Sequence, residues 1–259
     1  MNIRLIATDL DGTLLKTDKS VSDKTKQTIK ECQKLGIAFV PATARDLKTL
    51  DKMNVTQIAN FDAIITTNGS KIYKDGKIIY RKGLTTKLLN EFLPTILKHF
   101  PKQTISINLN EEWYANFDIH AIFDQTMEFT FSDFSDLPDG MIDRIMMDVG
   151  NQENFEKLQS ILPEYMYAHT IEGTFITRVL HRDVSKAHAI EHLAEVFGIS
   201  IDEILFFGDD ENDVEAFELL TNKVVVANAI DKLKQKASGQ TLSNDEDGVA
   251  YYIQEHVLV

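Results

Sequence analysis

Asp9-Leu10-Asp11-Gly12-Thr13-Leu14-Leu15 is the most informative segment of the sequence. It follows the apolar run 3–7, whose β-branched content predicts a buried strand. Two carboxylates leave the strand end two residues apart, while Gly12 allows a tight turn and Thr13 adds a hydroxyl. Asp and Gly are poor strand residues, so this strand end is costly for the fold. The stretch is either an ordinary polar turn or a functional strand end, and the rest of the chain must decide between them.

The segments around this stretch alternate between short apolar strands and helices. Ser22 and Ser185 are N-cap candidates, and Gly36 and Gly198 are the matching helix stops. Such alternation is typical of parallel crossover units in an open α/β sheet. The predicted elements are strands 37–40, 63–67, 204–207 and 224–226 and helices 23–35, 47–53, 185–197 and 214–220.

The rhythm changes after residue 70. The segments 72–73 and 78–80 flank Lys74-Asp75-Gly76-Lys77, which is a strong hairpin signal. Beyond it, a mixed order of elements predicts an α+β insertion over 84–182, large enough to fold as a separate unit. Its predicted elements are helices 86–99 and 152–161, strands 103–109, 143–149, 165–169 and 174–180, and an exposed loop over 129–140.

Composition restricts the class of protein. The 259 residues can bury a sizeable core in one large domain or two modest ones. A net charge of −13 argues against nucleic-acid and anionic-membrane partners, because both need a cationic footprint. Cys32 is the only cysteine, which leaves no disulfide framework and favours a buried, apolar role for it. The N-terminal apolar run is interrupted by charges, and no stretch approaches the ~20 apolar residues of a membrane span, so we expect a cytoplasmic protein.

Polar clusters follow four of the predicted strands. Ligands of open α/β sheets bind beyond the carboxyl ends of the strands, so parallel neighbours would bring these clusters to one rim. Carboxylates held close together require a cation, and oxygen ligands without His or Cys favour Mg²⁺. The clusters are Asp9/Asp11, Thr43/Arg45, Asn68 and Asp209/Asp210/Asp213.

Lys186 completes this set of residues. It lies in the first turn of a predicted helix, where the helix dipole disfavours a cation. A residue that breaks a local rule is a functional candidate, and a nearby anion reverses the unfavourable sign. Carboxylates, a hydroxyl, a lysine and an acidic metal site are together what phosphoryl transfer through an aspartyl-phosphate requires.

The motifs resemble those of haloacid dehalogenase superfamily phosphatases, specifically the Cof-like branch (type IIB) with a large inserted cap. The resemblance covers essentially the whole chain and implies a Rossmann-like parallel core of 1–83 and 183–259 with an α+β cap of 84–182 that closes over the cleft. Ala44 and Ala187 stand where the family usually has glycine. The four motifs, in order, are Asp9-Leu10-Asp11-Gly12-Thr13, Ala42-Thr43-Ala44-Arg45, Val184-Ser185-Lys186 and Gly208-Asp209-Asp210-Glu211-Asn212-Asp213; Asn228-Ala229 and Asp247-Gly248-Val249-Ala250 resemble the C-terminal signature.

The resemblance also implies a role for each motif residue. Asp9 is the implied nucleophile, and Asp11 is the implied general acid/base, which also gives its backbone carbonyl to Mg²⁺. Thr43 and Lys186 are implied catalytic residues that contact the transferring phosphoryl group. The implied phosphate-binding set is Gly12, Thr43, Ala44, Lys186 and Asn212, and the implied metal set is Asp9, Asp11, Asp209 and Asp213.

The leading hypothesis is a Mg²⁺-dependent hydrolase that removes phosphate from a small phosphorylated metabolite, a sugar phosphate or cofactor phosphate. The alternatives are a phosphomutase with the same chemistry and a phospho-ligand binding protein without turnover; a dehalogenase is weaker still. We expect no nucleic-acid or membrane partner, and a monomer or small homo-oligomer.

Several other residues are compatible with two different roles. Asp213 could be only a helix N-terminal charge, and Asp210 only a solvated acid. Arg45 could reach the cleft or pair with a surface carboxylate. A cap aromatic cluster could face the cleft or pack in the core; its residues are Trp113, Tyr114, Phe117 and His120. The scattered histidines 169, 181 and 188 are expected to be structural or exposed.

Overall fold

The computed structural model describes residues 2–121, 127–171 and 173–258. The chain divides into two compact units, one of the residues up to Arg81 and from Ser185 onward, and the other Lys82–Val184. Parts of the expected core (1 and 259) and insertion (122–126 and 172) lie outside the described residues.

The first unit is built from both ends of the chain. Its N-terminal elements are β1 (Leu5–Thr8), α1 (Asp23–Lys34), β2 (Ala38–Pro41), α2 (Leu47–Lys52), β3 (Ile64–Thr66), β4 (Lys71–Lys74) and β5 (Lys77–Arg81). The second unit contains β6 (Leu84–Thr85), α3 (Thr86–His99), β7 (Ile105–Leu109), β8 (Glu112–Ala115), β9 (Thr130–Phe131), β10 (Met141–Asp148), α4 (Gln152–Ile161), β11 (Met166–Thr170) and β12 (Ile176–His181). The chain then returns to the first unit with α5 (Lys186–Phe197), β13 (Ile204–Gly208), α6 (Val214–Leu219), β14 (Asn222–Val225), α7 (Asp231–Lys234), β15 (Gly239–Gln240) and α8 (Gly248–His256).

A five-stranded parallel sheet, in the order β15-β14-β13-β1-β2, forms the centre of the first unit. Leu5 of β1 is paired with Ile204 of β13 on one side and with Ala38 of β2 on the other. The three strands are fully buried and run in register, so their carboxyl ends lie side by side. The predicted α/β class with a parallel sheet is therefore confirmed.

The prediction that strand 63–67 belongs to this parallel sheet is wrong. Its core, β3, meets the end of β2 through a single parallel bridge, Ala42 with Ile65. Instead, β3 pairs antiparallel with β4 in a three-stranded sheet, β3-β4-β5. The β4–β5 hairpin was predicted from Asp75-Gly76, whose positive φ values of 51° and 71° form the turn. The main pairing partner of β3 is therefore β4, the first strand of the hairpin that follows it, and not the parallel strand β2.

Capping residues fix the ends of the two main helices, as predicted. Ser22 accepts a hydrogen bond from the backbone N–H of Thr25 at the start of α1. Ser185 does the same for His188 at the start of α5, and Gly198 ends that helix with φ 61°. Cys32 of α1 is buried as expected, and burial raises the pKa of its thiol to about 12.

The second unit has its own sheet, in the order β11-β12-β10-β7-β8-β9, with β6 paired to β10. Most of its pairings are antiparallel, while β8 and β9 are parallel. The helix α3 packs Leu89, Phe92 and Ile96 into the core of this unit. The strand β8 was not predicted, because the turn before it uses Asn110 and Glu111 with positive φ instead of glycine.

The helix α8 was also not predicted. It begins at Gly248, directly after Asp247, which has a left-handed φ of 58°. A Cβ at Gly248 would lie 2.0 Å from the carbonyl oxygen of Leu242, so only glycine fits there. The helix buries Val249 and Ile253 in the core of the first unit. Within the described part of the chain, no helix has both the length and the apolar character needed to cross a membrane.

Candidate active site

A buried lysine between two carboxylates forms the centre of the candidate site. The Nζ of Lys186 lies 2.6 Å from Asp9 Oδ1 and 2.6 Å from Asp213 Oδ1. The side chains of Lys186 and Asp213 are fully buried, and that of Asp9 is 7% exposed. Buried charges persist only where they are paired and hydrogen-bonded, so these three side chains hold one another in place.

The start of α5 presents Lys186 to this centre. The residue is the first of the helix, where the dipole alone would disfavour its charge. Gly69, with φ 98°, packs against Ser185, the residue that precedes Lys186. A Cβ at Gly69 would lie 2.1 Å from the carbonyl oxygen of Ser185. The turn after β3 therefore sits directly on the backbone that carries Lys186, and the two carboxylates offset the dipole.

Asp213 folds the loop after β13 back on itself. Its Oδ2 accepts backbone hydrogen bonds from Asp209 at 2.9 Å and Asp210 at 3.2 Å, while its Oδ1 accepts from Lys186. A Cβ at Gly208 would lie 2.6 Å from that Oδ2, so the loop can close this tightly only over a glycine. Asp213 thus does more than offer a charge to the helix N-terminus, because it links the acidic loop to the buried lysine.

Asp209 lies against the turn after β1. Its Oδ1 accepts a hydrogen bond from the hydroxyl of Thr13. Gly12 has φ 79°, and a Cβ there would lie 2.3 Å from Asp209 Oδ2. The backbone N–H of Asp9 donates to the carbonyl of Phe207 at 2.9 Å, which extends the β1–β13 pairing up to the site. Parallel pairing therefore brings Asp9 and Asp209 together, as the positions of the two motifs predict.

Two aspartates of this centre, Asp9 and Asp209, hold protons more tightly than ordinary carboxyl groups. Burial raises the pKa of Asp9 well above its usual value, and the charges of Asp213 and Asp209 add to the effect, which Lys186 only partly offsets. Burial, with the charge of Asp213, raises the pKa of Asp209 to about 7. Excess negative charge in a buried place is the physical cause in both cases.

The same excess of charge fits a divalent cation. Asp9, Asp209 and Asp213 each have a carboxylate oxygen within 4.8 Å of the others, while Lys186 forms ion pairs with Asp9 and Asp213. Carboxylate oxygens are hard donors of the kind that Mg²⁺ prefers. Three of the four residues predicted to hold a metal therefore form one group, and its donors suit that ion.

The side chain of the fourth residue, Asp11, points to a different partner set. Arg45 donates two hydrogen bonds to it, from Nε to Oδ2 at 2.6 Å and from Nη2 to Oδ1 at 2.8 Å. Lys19 Nζ donates to Oδ1 at 2.9 Å. Burial alone would raise the pKa of Asp11, but the hydrogen bonds from Arg45 and Lys19 outweigh it and lower the pKa. Asp11 is therefore held as a carboxylate beside the acidic group.

Thr43 follows β2 at the same edge of the sheet. It is buried, its backbone N–H donates to the carbonyl of Ile65 at 2.9 Å, and its hydroxyl accepts from the backbone N–H of Arg45 at 3.1 Å. Ala44, between them, is half-buried. The β2 loop thus places Thr43 and the Asp11–Arg45 pair next to one another.

Asn212, the last of the predicted phosphate contacts, is tied to Asn68. Its Nδ2 donates to Asn68 Oδ1 at 3.1 Å. Asn68 is buried and has a left-handed φ of 57°, between Thr67 at 52° and Gly69 at 98°. Left-handed backbone at a β-branched residue such as Thr67 is costly and marks a functional constraint.

Sequence reasoning missed several residues that support this site. Lys19, which pairs with Asp11, gave no signal because it lies in an ordinary charged loop. Asn68 follows a predicted strand, and this position alone predicts no specific role in the site. Asn228 and Asn244 donate to backbone carbonyls of the loop after β1, and only the resemblance of Asn228-Ala229 to the C-terminal signature pointed toward them.

The remaining candidates have other roles. Asp210 caps the short helical turn over Glu211–Asp213. Trp113 is buried in a small apolar cluster, against which Phe117 packs, while Tyr114 packs on the main core of the second unit. The carboxylate of Asp118 accepts a hydrogen bond from His120 Nδ1, 2.8 Å away. Burial, with the charge of Arg178, lowers the pKa of His169 to about 4, and the ring of His188 bonds Ser185.

The chain resembles known proteins over nearly its whole length. The sequence model of the haloacid dehalogenase-like hydrolases matches residues 6–253. The Bacillus subtilis protein YwtE, named a 5-amino-6-(5-phospho-D-ribitylamino)uracil phosphatase, is 28% identical, with 98% of each chain covered. A second protein of that organism with the same enzyme name, YitU, is 25% identical, with 97% of each chain covered.

The fold has close counterparts among solved structures. BT1666 from Bacteroides thetaiotaomicron, described as a phosphatase of the haloalkanoate superfamily, superposes with a TM-score of 0.85 at 19% identity, covering 99% of this chain and 96% of its own. SMU.1108c from Streptococcus mutans gives a TM-score of 0.84 at 22% identity, covering 99% of this chain and all of its own. The family match over nearly the whole chain decides the assignment: this chain belongs to the haloacid dehalogenase-like hydrolases and is a phosphatase of that family.

Proposed function

We propose that this chain is a Mg²⁺-dependent phosphomonoesterase that acts on a small phosphorylated metabolite through an aspartyl-phosphate on Asp9. The observation that carries the proposal is the buried pairing of Lys186 with Asp9 and Asp213, beside Asp209. A merely structural turn does not need a buried cation with two carboxylates at a strand end, because such a pair gives little net stability.

In this proposal Asp9 is the nucleophile. One of its carboxylate oxygens forms a bond to phosphorus while the ester P–O bond breaks, and the leaving oxygen takes a proton from Asp11. Lys186, already bonded to Asp9 Oδ1, supplies positive charge where the phosphoryl oxygens arrive. Thr43 and Asn212 would bind these oxygens, with Gly12 and Ala44 leaving room for close backbone approach.

Hydrolysis of the aspartyl-phosphate restores the enzyme. A water molecule attacks phosphorus, its proton passes to Asp11, and the bond between phosphorus and Asp9 breaks to give inorganic phosphate. The carboxylate form of Asp11 that Arg45 and Lys19 hold is the form able to accept that proton. Donation in the first half-reaction then requires Asp11 to bind a proton and exchange part of this pairing.

Asp9, Asp209 and Asp213 would hold Mg²⁺ with their side chains, and Asp11 through its backbone carbonyl. The ion supplies neutralising charge for the incoming phosphate oxygens when it is bound. The inserted unit, Lys82–Val184, would act as the cap that selects the leaving group.

The substrate we favour is a phosphorylated sugar or sugar alcohol. Support comes from YwtE, YitU and a third B. subtilis relative, YcsE, all named for a phosphorylated ribitylamino compound. The proposal is limited to this chemical class, because the relatives share only 25–28% of their residues with this chain.

Phosphate release from a panel of monoesters tests the proposal. The panel contains 5-amino-6-(5-phospho-D-ribitylamino)uracil, sugar phosphates, flavin mononucleotide and pyridoxal phosphate, each with Mg²⁺ and with chelator. We expect Mg²⁺-dependent release that is lost in Asp9→Asn. Conversion of a sugar 1-phosphate to its 6-phosphate without release would indicate a mutase, and tight binding without turnover a binding protein; either result would contradict the proposal.

A further inference from the structure

Two asparagines near the carboxyl end of the chain bond the loop that carries the catalytic motif. Asn228 Nδ2 donates to the carbonyl of Gly12 at 2.8 Å, and Asn244 Nδ2 donates to the carbonyl of Leu15 at 3.0 Å. The two are linked, because the backbone N–H of Asn244 donates to Asn228 Oδ1 at 3.0 Å. One connected set of amides therefore holds both ends of the turn 12–15.

Two aspartates extend this hold to the following residues. Asp245 accepts from the backbone N–H and from the hydroxyl of Thr17, each at 2.8 Å. Lys16 Nζ donates to the carbonyl of Asp245 at 2.6 Å and lies 3.3 Å from Asp247 Oδ1. We call Asn228, Asn244, Asp245 and Asp247 the C-terminal bracket.

The bracket is itself rigidly built. A reciprocal capping box between Ser243 and Glu246 forms its short helical turn. The left-handed Asp247 and the crowded Gly248 then turn the chain into α8, which is anchored in the core. The bracket can therefore act as a fixed support for a neighbouring loop.

The tip of the catalytic loop has only long hydrogen bonds of its own. The base of the loop is closed by Leu15 N–H to Leu10 O at 2.8 Å, but Thr13 N–H to Leu10 O and Leu14 N–H to Asp9 O are both 3.3 Å, at the weak end of the usual range. The Gly12–Thr13 segment is held instead from outside, by Asn228 at the carbonyl and by Asp209 at the hydroxyl of Thr13. Its conformation sets where Asp9 and Asp11 lie.

We propose that Asn228 and Asn244 are positioning residues for phosphoryl transfer, acting through the Gly12 and Leu15 carbonyls on the loop that bears Asp9 and Asp11. This inference rests on the proposed function, since it assigns these two residues to that reaction. It also gives Asn228 of the C-terminal signature a physical role, since this residue supports Gly12 of the first motif, 216 positions earlier in the chain.

Asn228→Ala tests this role directly. The Asn228 side chain is exposed, so its removal leaves no cavity. We expect kcat to fall about 10- to 100-fold, the effect of a slightly misplaced reacting group, with KM changed less than about threefold. Asn222→Ala is the matched control, because Asn222 Nδ2 also donates to a backbone carbonyl, that of Asp202 at 2.7 Å, at the opposite end of the sheet. It should leave kcat unchanged.

Asn244→Ala is a second variant in which kcat can be measured. Amide hydrogen exchange tests the order of the loop without depending on turnover. We expect faster exchange confined to residues 10–17 in both bracket variants. Unchanged kcat and exchange in both variants would overturn the inference, as would an equal loss of kcat in Asn222→Ala. If the unaltered protein releases no phosphate from the panel, the proposed function fails. The exchange result then decides separately whether the bracket orders the loop.

Discussion

Lys186 is a buried cation whose charge depends on its two neighbours. Burial alone would lower the pKa of its amine, but the charges of Asp213 and Asp9 outweigh burial and raise it above its ordinary value. The lysine therefore stays protonated at neutral pH. A phosphate ligand then meets a permanent positive charge that needs no rearrangement, which is the condition for strong electrostatic stabilisation of phosphoryl transfer.

Replacing Lys186 with methionine tests this dependence. The change leaves Asp9 and Asp213 buried without their cation, which typically costs about 3–5 kcal/mol of unfolding free energy. We expect that loss in urea denaturation at pH 8 and a smaller loss at pH 5, where Asp9 can take up a proton. The rate of phosphate release should fall about 10²- to 10³-fold, as when one electrostatic stabiliser is removed.

Lys236→Met is the control for this prediction. Lys236 lies 2.8 Å from Glu218 in an exposed ion pair, and such pairs contribute about 0–1 kcal/mol. Its removal should change neither activity nor the pH dependence of unfolding. Lys186→Met behaving like this control would mean that the buried pairing is dispensable.

Side-chain contacts between residues of different loops could not be predicted from the sequence. Asp9, Asp209 and Lys186 could be predicted because each belongs to a motif at a strand end or a helix start. The fork between Arg45 and Asp11 could not, since its geometry arises only when β1 and β2 lie side by side. Lys19 contacts the same carboxylate from a loop, and no periodic pattern in the sequence predicts the backbone path of that loop.

The turn after β1 is the element on which the geometry of the site depends. Gly12 combines a left-handed φ of 79° with the close approach of Asp209, so Gly12→Ala adds both strain and overlap. Left-handed strain costs about 1–2 kcal/mol and overpacking about 1–3 kcal/mol. We expect a thermal unfolding midpoint well below that of the unaltered protein and a large loss of phosphate release.

Gly36 offers a matched comparison, because its φ is also 79° and a Cβ there would meet nothing within 4 Å. Gly36→Ala should show only the strain, about 1–2 kcal/mol, and full activity. If the two alanine variants lose equal stability and both remain active, the close approach of Gly12 to Asp209 has no functional weight.

Helices with clear caps were the elements best predicted. Ser22, Ser185 and Gly198 mark the ends of α1 and α5, and the structure uses each of them. The helix α8 had no such signal, because its N-terminus depends on a left-handed Asp247 and a contact between Gly248 and Leu242. The strand β3 was recognised as a strand but assigned to the wrong sheet, since pairing choice depends on the neighbouring hairpin.

Titration of Asp209 makes the stability of the folded chain depend on pH. The pKa of Asp209, about 7 in the folded chain against about 4 when unfolded, means that the folded state holds an extra proton between these values. Asp209 therefore contributes stability below pH ~4 that is lost as pH rises through about 7. We expect the metal-free protein to lose on the order of a few kcal/mol over this range from this group.

Mg²⁺ should reverse that loss, because it replaces the proton as the counter-charge. The thermal midpoint should rise on adding Mg²⁺ at pH 8 and change little at pH 5, where protons compete for the same oxygens. Asp209→Asn, neutral at every pH, should show neither the pH slope of this group nor the gain from Mg²⁺. A Mg²⁺ effect of the same size at both pH values, or in the Asn variant, would contradict the assigned site.

The parallel sheet of the first unit could be predicted because that part of the sequence has its own periodicity. Alternating helices and apolar strands mark the parallel sheet, and the hairpin signal at Asp75-Gly76 marks the change of rhythm before the insertion. What the sequence could not supply is the residue-by-residue register of β1 with β13 and the long-range contact of Asn228 with Gly12. Both depend on packing across the whole first unit.

Trapping the covalent intermediate would identify the nucleophile directly. Protein turning over its best substrate with Mg²⁺ is quenched in acid and reduced with borohydride, which converts an aspartyl-phosphate to homoserine. The proposed mechanism predicts homoserine at position 9 by peptide mass spectrometry, absent in Asp9→Asn and absent with chelator. Steady turnover with aspartate intact at position 9 in every quenched sample would contradict nucleophilic attack by Asp9.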